Sequence, residues 1–358
     1  MRMVKFPSIE QFNTTVKNLR MHFQYVGKDE DGKAIYDSSK ELPTLEFFGT
    51  VKLHGTNGAV CFDTRTNEFY AQSRERILSM ESDNAGFNFF VQANKTTFMN
   101  MITEYFKGDL PEGIISIYGE WAGPGIQKGV AISQIPLKSF FIFGLKVSTF
   151  PDGDDEEPNV YWLDHTAQTE RIGGSEIILK NNLMSIYNMD QFQTWSIEVD
   201  LNRPELIVNE LIQLTEHVEA ECPVGRFFGI SGTGEGIVYS TNLGQNDVIR
   251  FKVKGEKHSS SKVKTIAAVD VEKMNNIHEF AEYAVTENRL NQGIEQVFTQ
   301  YNKVPTVEDT GLFVKWISSD VIKEEMQVMQ ESGLEPKVVM GAVSKKAAGW
   351  FKQYLMNT

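Results

Sequence analysis

The run Val51-Lys52-Leu53-His54-Gly55-Thr56-Asn57-Gly58 is where residue types and spacing first suggest chemistry, with a lysine two residues ahead of His-Gly-Thr-Asn. Phe47 and Phe48 approach it, and Ala59, Val60, Cys61 and Phe62 leave it, so both flanks read as strand. A lysine on or beside a sheet is partly desolvated, which disfavours the ammonium and exposes the amine lone pair as a nucleophile. One lysine at a strand end is more simply a solvated charge. The other charged strand ends must decide between the two readings.

Those ends recur along the chain. Ser73-Arg74-Glu75-Arg76 closes a second strand, and Tyr118-Gly119-Glu120-Trp121 ends the strand that starts at Ile114. Glu235 opens Gly236-Ile237-Val238, and Arg250-Phe251-Lys252-Val253-Lys254 finishes another. Strand side chains alternate, so Lys252 and Lys254 share one face. Each alone is a strand surfacing.

The elements that must position these groups follow from periodicity. Residues 8–24 carry Ile9, Phe12, Val16, Leu19 and Phe23 at helical spacing, with Ser8 as the expected cap. Gly27 to Lys33 is a polar turn, and Glu46 to Ser73 reads as a hairpin turning at 63–67. Residues 86–106 read as one amphipathic helix, Ile114–Trp121 and Ser139–Val147 as apolar strands, and Pro204–Glu221 as a helix. The acidic run 151–158 reads as a surface loop and lacks the spacing of an EF-hand calcium loop. After Gly255 strand alternation stops, and residues 269–304 and 309–356 supply about four helices. The expected fold is α+β: antiparallel sheets and helices over residues 1–257, then a small all-α domain over 258–358.

Composition bounds the function. The chain has 358 residues, 41% hydrophobic and 23% charged, enough for a sizeable core and two domains. No apolar run approaches the ~20 residues of a membrane helix, and no signal-peptide core follows Met1. Two cysteines, Cys61 and Cys222, make neither a disulfide framework nor a zinc site. A reducing cytoplasm is the expected compartment. A net charge of −13 argues against non-specific coating of nucleic acid, yet leaves room for a local basic groove.

In order, Lys52-x-His54-Gly55-Thr56-Asn57, Ser73-Arg74, Tyr118-Gly119-Glu120, Phe140-Phe141-Ile142-Phe143, Glu235-Gly236-Ile237-Val238 and Lys252-Val253-Lys254 resemble the motifs of the covalent nucleotidyltransferases. That superfamily, with its ATP-grasp-like ligase fold, includes polynucleotide ligases and mRNA capping enzymes. The His-Gly-Thr-Asn form is similar to the RNA ligase 2 branch of phages and trypanosome editing ligases, where DNA ligases and capping enzymes usually have Asp-Gly. A helical tail agrees with that branch, since the other enzymes carry an OB-fold there.

The resemblance implies an ATP-dependent RNA ligase of phage type, acting in RNA repair on 5′-phosphate and 3′-hydroxyl RNA ends with magnesium or manganese. It further implies a cytoplasmic monomer, in the host cytoplasm if phage-encoded, with no membrane partner. Lys52 would be the site of AMP attachment, helped by the positive field of Lys252 and Lys254, with His54 orienting the pyrophosphate. The nucleotide site would comprise Val51, Lys52, Asn57, Arg74, Glu120, Phe140, Glu235, Lys252 and Lys254. Within it Glu120 takes the ribose hydroxyls and Glu235 the metal ion. Arg76 is a substitute for Arg74. Phe140 is chosen as the adenine platform by its distance along the chain from Glu120, with Phe141 open as the alternative. Lys257, Lys262 and Lys264 beside Ser259-Ser260-Ser261 form a basic hinge, and Lys345-Lys346 with Trp350-Phe351 a second RNA-holding patch or an ordinary amphipathic helix. The competing readings are a DNA ligase or capping guanylyltransferase, and a non-catalytic RNA- or nucleotide-binding module.

Overall fold

The lysine-bearing run belongs to a set of strands that crosses most of the chain: β1 (Thr44–Lys52), β2 (Thr56–Asp63), β3 (Glu68–Ser73), β4 (Ile114–Ala122), β5 (Ser139–Ser148), β6 (Val160–Trp162), β7 (Ile186–Asn188), β8 (Thr194–Asp200), β9 (Gly236–Asn242) and β10 (Val248–Lys254). The computed structural model describes residues 1–150, 159–163, 185–244, 247–258, 277–301, 303–331 and 333–357. The acidic run 151–158 and the hinge residues Ser259, Ser260, Ser261, Lys262 and Lys264 lie outside the described residues.

Two sheets result. In one, β10, β9, β1 and β8 lie side by side; in the other the order is β7-β5-β4-β2-β3, with β6 also on β5. β1 and β9 are antiparallel, as are the pairs β2–β3, β2–β4, β4–β5 and β5–β6. β7 runs parallel to β5, within a sheet that is otherwise antiparallel among the described pairs. Its three residues follow a long connection, which a parallel pair requires.

β2 shows why the second sheet is stable. Val60 and Phe62 face one core with Phe87, Phe98, Ile117, Trp121 and Phe140. Ala59 and Cys61 face another with Val4, Tyr70 and Tyr118. Both faces are covered, so the strand reads as a continuous apolar run rather than an alternating one. Burial pushes the Cys61 thiol up to about 12, and both cysteines are free and buried. The region expected as one helix over 86–106 is two, Phe87–Ala93 and Lys95–Tyr105, parted at Asn94 by its φ of −105° and ψ of 18°.

The chain divides into two compact units. The first comprises Met1–Ile9, Leu45–Glu198 and His217–Lys252; the second comprises Glu10–Thr44, Val199–Glu216 and Val253–Thr358. Each unit draws on separate stretches of the chain, because hydrogen bonds reach far along it. Gln11 donates from Nε2 to Glu324 Oε2 at 3.0 Å, and Arg20 donates from Nε to the Leu201 carbonyl at 2.7 Å.

In the second unit the first helix is Phe12–Gln24, shorter than expected. Ser8 does not cap it; Gln11 occupies that position without a side-chain cap bond. It leads into a two-stranded antiparallel ribbon, Tyr25–Lys28 with Ala34–Tyr36, that turns through the polar run. The tail contains helices Ile277–Ala284, Glu287–Val297, Thr310–Glu331 and Pro336–Asn357. Phe280, Leu290, Phe313, Ile317, Val343 and Phe351 bury their apolar faces together. Lys346 pairs with Glu282 at 2.9 Å, and Phe351 stacks on Phe313 at 4.5 Å inside that core. Lys346 and Phe351 therefore make contacts within the tail, in keeping with the amphipathic-helix alternative for Lys345-Lys346 and Trp350-Phe351. Among the described residues no helix is long and apolar enough to cross a membrane.

Candidate active site

β1 delivers Lys52 at its C-terminal end, directly across from Gly236 at the start of β9. Glu235, one residue earlier, is thereby brought to the lysine: Nζ lies 2.7 Å from Glu235 Oε2. The carboxylate side chain is 2% exposed and the lysine 21%, so the pair is desolvated on the acid's side and reachable on the amine's. His54 Nδ1 lies 3.5 Å from the same carboxylate oxygen. One buried acid thus gathers the two functional groups of the Lys-x-His spacing.

Glu120 approaches from β4. It pairs across the sheet with Asn57 on β2, so the two side chains share a face. Its Oε1 accepts the Gly55 N–H at 2.9 Å, and Gln127 Nε2 donates to the Gly55 carbonyl at 3.0 Å. Both backbone groups of Gly55 are therefore held by side chains. A Cβ at Gly55 would sit 2.6 Å from the Trp121 carbonyl oxygen and 2.9 Å from Glu120 Cγ, so only glycine allows this approach. Asn84 completes the grip, donating from Nδ2 to Thr56 Oγ1 at 2.9 Å. Gln127 and Asn84 escape sequence reading because they come from irregular segments with no periodicity; Gly123-Pro124-Gly125 marks only a turn before Gln127.

Burial raises the Glu120 carboxyl to about 7, and the Glu235 charge adds to the rise; Lys52, the Gly55 N–H and His54 oppose it. A carboxyl poised there changes charge within the physiological range.

Other expected positions fall less centrally. Val51 is buried and pairs with Ile237. Arg74 lies just past β3, largely exposed, 3.8 Å from Glu75, whereas Arg76 donates to the Asp83 carbonyl at 3.1 Å. Lys252, on β10, is partly buried and two strands from β1; Lys254, also partly buried, falls in the second unit. The group directly beside Lys52 is a carboxylate, at 2.7 Å.

Phe140 is not brought to the site. It pairs with Trp121, whereas Phe141 pairs with Glu120, so Phe141 is the one on the carboxylate's face. Phe140 is fully buried against Phe87 and Phe98 in the core behind the sheet. Distance along the chain cannot reveal pairing register, and a slip of one residue reverses the face. Phe141 is also buried, stacked on Tyr187 at 5.4 Å.

Among the described residues no three His, Cys, Asp or Glu side chains form a ready-made metal centre. One carboxylate, Glu235, beside a lysine and a histidine suits a hard ion that keeps most of its waters and is held chiefly by substrate phosphates. A cavity coordinating a bare ion is not what these residues build.

Residues 45–254 match the family described as RNA ligase. No curated protein sequence matches the chain. Among solved structures, a lysine-to-methionine variant of the Naegleria gruberi RNA ligase with AMP and manganese is 14% identical, with a TM-score of 0.39, covering 71% of this chain and 56% of its own. The same ligase with pyrophosphate is 13% identical, with a TM-score of 0.39, covering 70% and 56%. A lysine-to-alanine variant with ATP and manganese gives 14%, a TM-score of 0.37, and coverage of 70% and 56%. The chain thus spans little more than half the length of these ligases.

Proposed function

This chain belongs to the RNA ligase family, and we propose that it is an ATP-dependent RNA ligase that carries AMP on Lys52. The observation that carries the proposal is the meeting of a solvent-reachable lysine with a buried carboxylate at 2.7 Å, beside His54 and Glu120.

In the first step Lys52 Nζ, freed of a proton, attacks the α-phosphorus of ATP. A P–N bond forms, the bond from α-phosphorus to the bridging oxygen breaks, and pyrophosphate leaves. In the second step an RNA 5′-phosphate oxygen attacks the same phosphorus and releases the lysine, leaving AMP on the RNA end. In the third a 3′-hydroxyl loses its proton and attacks the RNA 5′-phosphorus, forming the phosphodiester and releasing AMP. Each is a displacement at phosphorus, so positioning and charge neutralisation dominate the barrier.

The roles follow from placement. Glu235 lies within proton-transfer distance of Nζ and fixes its direction before attack. A bound magnesium or manganese ion would neutralise phosphate charge, with Glu235 as its protein carboxylate. Glu120, when ionised, accepts the ribose hydroxyls. His54 and Asn57 face the leaving pyrophosphate and the ribose or phosphate, respectively. Arg74 contacts ribose or phosphate, Lys252 and Lys254 balance charge on the α-phosphate, and the backbone at Val51 lines the nucleotide. Phe140 is left out because it lies on the far face of the sheet. A cytoplasmic monomer of phage type acting in RNA repair belongs to the same proposal.

Incubation with α-labelled ATP and magnesium should leave label on the protein, and RNA carrying a 5′-phosphate should chase it. Absence of label on the wild-type chain overturns the reading. Label taken from GTP, or passed only to DNA, replaces it with a capping enzyme or a DNA ligase.

A further inference from the structure

Outside the family-matched residues 45–254 lies an N-terminal module that supplies none of the site residues described above. Its helix, Phe12–Gln24, runs straight into the ribbon, and the Asp37 N–H to Gln24 carbonyl bond at 2.8 Å ties the ribbon's return end to the helix end. Residues 12–28 carry Lys17, Arg20 and Lys28 and no carboxylate, in a chain of net charge −13. Among the described residues no carboxylate pairs with any of the three. A groove of about 420 Å³ opens beside this helix, lined by Asn13, Lys17, Arg20, Gln24 and Pro204. Arg20 is set in place by its donations to the Leu201 and Asn202 carbonyls at 2.7 and 3.2 Å.

The ribbon adds a different chemistry. Tyr25 and Tyr36 pair across it, with ring centroids 6.1 Å apart, and each is 44% exposed. A two-stranded ribbon with exposed tyrosines gains little stability from them, since neither ring is buried in a core. The only acidic run of the ribbon, Asp29-Glu30-Asp31, is at its far turn, next to Lys28 and away from Lys17 and Arg20 on the helix.

We propose that this helix–ribbon surface binds an unpaired segment of RNA, with bases on Tyr25 and Tyr36 and phosphates along Lys17, Arg20 and Lys28. Cations in a groove beside aromatic faces are what single-stranded nucleic acid requires without reading its sequence. The proposal rests on the ligase reading for the choice of RNA, and it extends that reading to substrates with a single-stranded flank.

The test uses the full chain, the double variants Tyr25→Ala/Tyr36→Ala and Lys17→Glu/Lys28→Glu, and a fluorescent single-stranded RNA of about 12 nucleotides. All four positions are exposed, so the variants should fold, and labelling of Lys52 by ATP without RNA should stay unchanged. Removing the tyrosines should weaken RNA binding about 10-fold or more. Reversing the lysines should weaken it further and flatten the salt dependence by at least ~1.4 in log–log slope. Wild-type affinity in both double variants overturns the proposal, whether or not Lys52 accepts AMP. Loss of a concentration-dependent dimer in the tyrosine variant, with RNA binding intact, also overturns it, making the ribbon a contact between chains. If no label forms from ATP but RNA binding still depends on these residues, the surface stands and the ligase reading falls.

Discussion

Two desolvated ionic clusters in this molecule have opposite designs. In the helical tail Arg289 is fully buried, donating from Nε to Asp320 at 2.8 Å, from Nη2 to Glu325 at 2.9 Å and from Nη1 to the Ala284 carbonyl. Tyr283 donates to the other oxygen of Glu325 at 2.9 Å, and Glu325 is itself fully buried. Burial pushes the Glu325 carboxyl above its ordinary range, against the pull of Arg289. In the strand-end cluster the acid Glu235 is buried, while its partner Lys52 keeps a fifth of its side chain in solvent. The closed network spends its polar capacity on itself, which is what a structural cluster requires. The open one retains a reachable amine and a Glu120 carboxyl near 7, the mark of a cluster arranged to meet a ligand.

This contrast can be broken or sharpened by substitution, beginning with the largest effect. Arg289→Leu leaves Glu325 buried without its cation, and should cost about 3–5 kcal/mol of stability in denaturant titration. Molecules still folded should accept AMP at the wild-type rate. A stable variant would show that the tail network is not structural.

Glu235→Gln should do the converse. The rate of AMP transfer to Lys52 should fall about 10²–10³-fold, while the unfolding midpoint moves little. A large loss of stability with little loss of rate would erase the distinction between the clusters.

Gln127→Ala removes the donor to the Gly55 carbonyl and leaves a buried acceptor, an effect of about 1–3 kcal/mol shared between stability and positioning. AMP transfer should drop roughly tenfold in kcat with little change in KM for ATP, and Gln127→Glu should not restore it, since a carboxylate cannot donate.

The smallest effect is titration. In its proposed role Glu120 accepts both ribose hydroxyls only when ionised, so kcat/KM for ATP should rise with pH through about 7, and Glu120→Gln should flatten that limb. The stability sign is opposite. A carboxyl raised in the folded state favours folding fully below its unfolded value of ~4.3 and loses that contribution as pH rises through about 7.

Much of the site was legible because charged residues interrupt apolar strands. Lys52, Glu120 and Glu235 stand out in sequence for that reason, and the sheets bring them together. Which of Phe140 and Phe141 shares the face of Glu120 was not legible: the two differ only in face, and the face is fixed by pairing with Trp121 and Glu120. Gln127 and Asn84 lay hidden in segments without periodicity. The direct pairing of Glu235 with Lys52 was not legible, because strand order, not chain order, sets the two side by side. The four α-helices among the described residues of the tail were visible from their apolar spacing. The partnership of Phe12–Gln24 and residues 199–216 with that tail depends on contacts such as Gln11 with Glu324, which span 313 positions.

The central claim is that Lys52 is the open cluster's nucleophile. The most direct measurement is mass spectrometry of the intact chain after incubation with ATP and magnesium, on wild type and Lys52→Ala. An added AMP on the wild type, mapped to Lys52 and absent from the variant, is the predicted result. An unmodified wild-type chain, or an AMP that persists in Lys52→Ala, would contradict it.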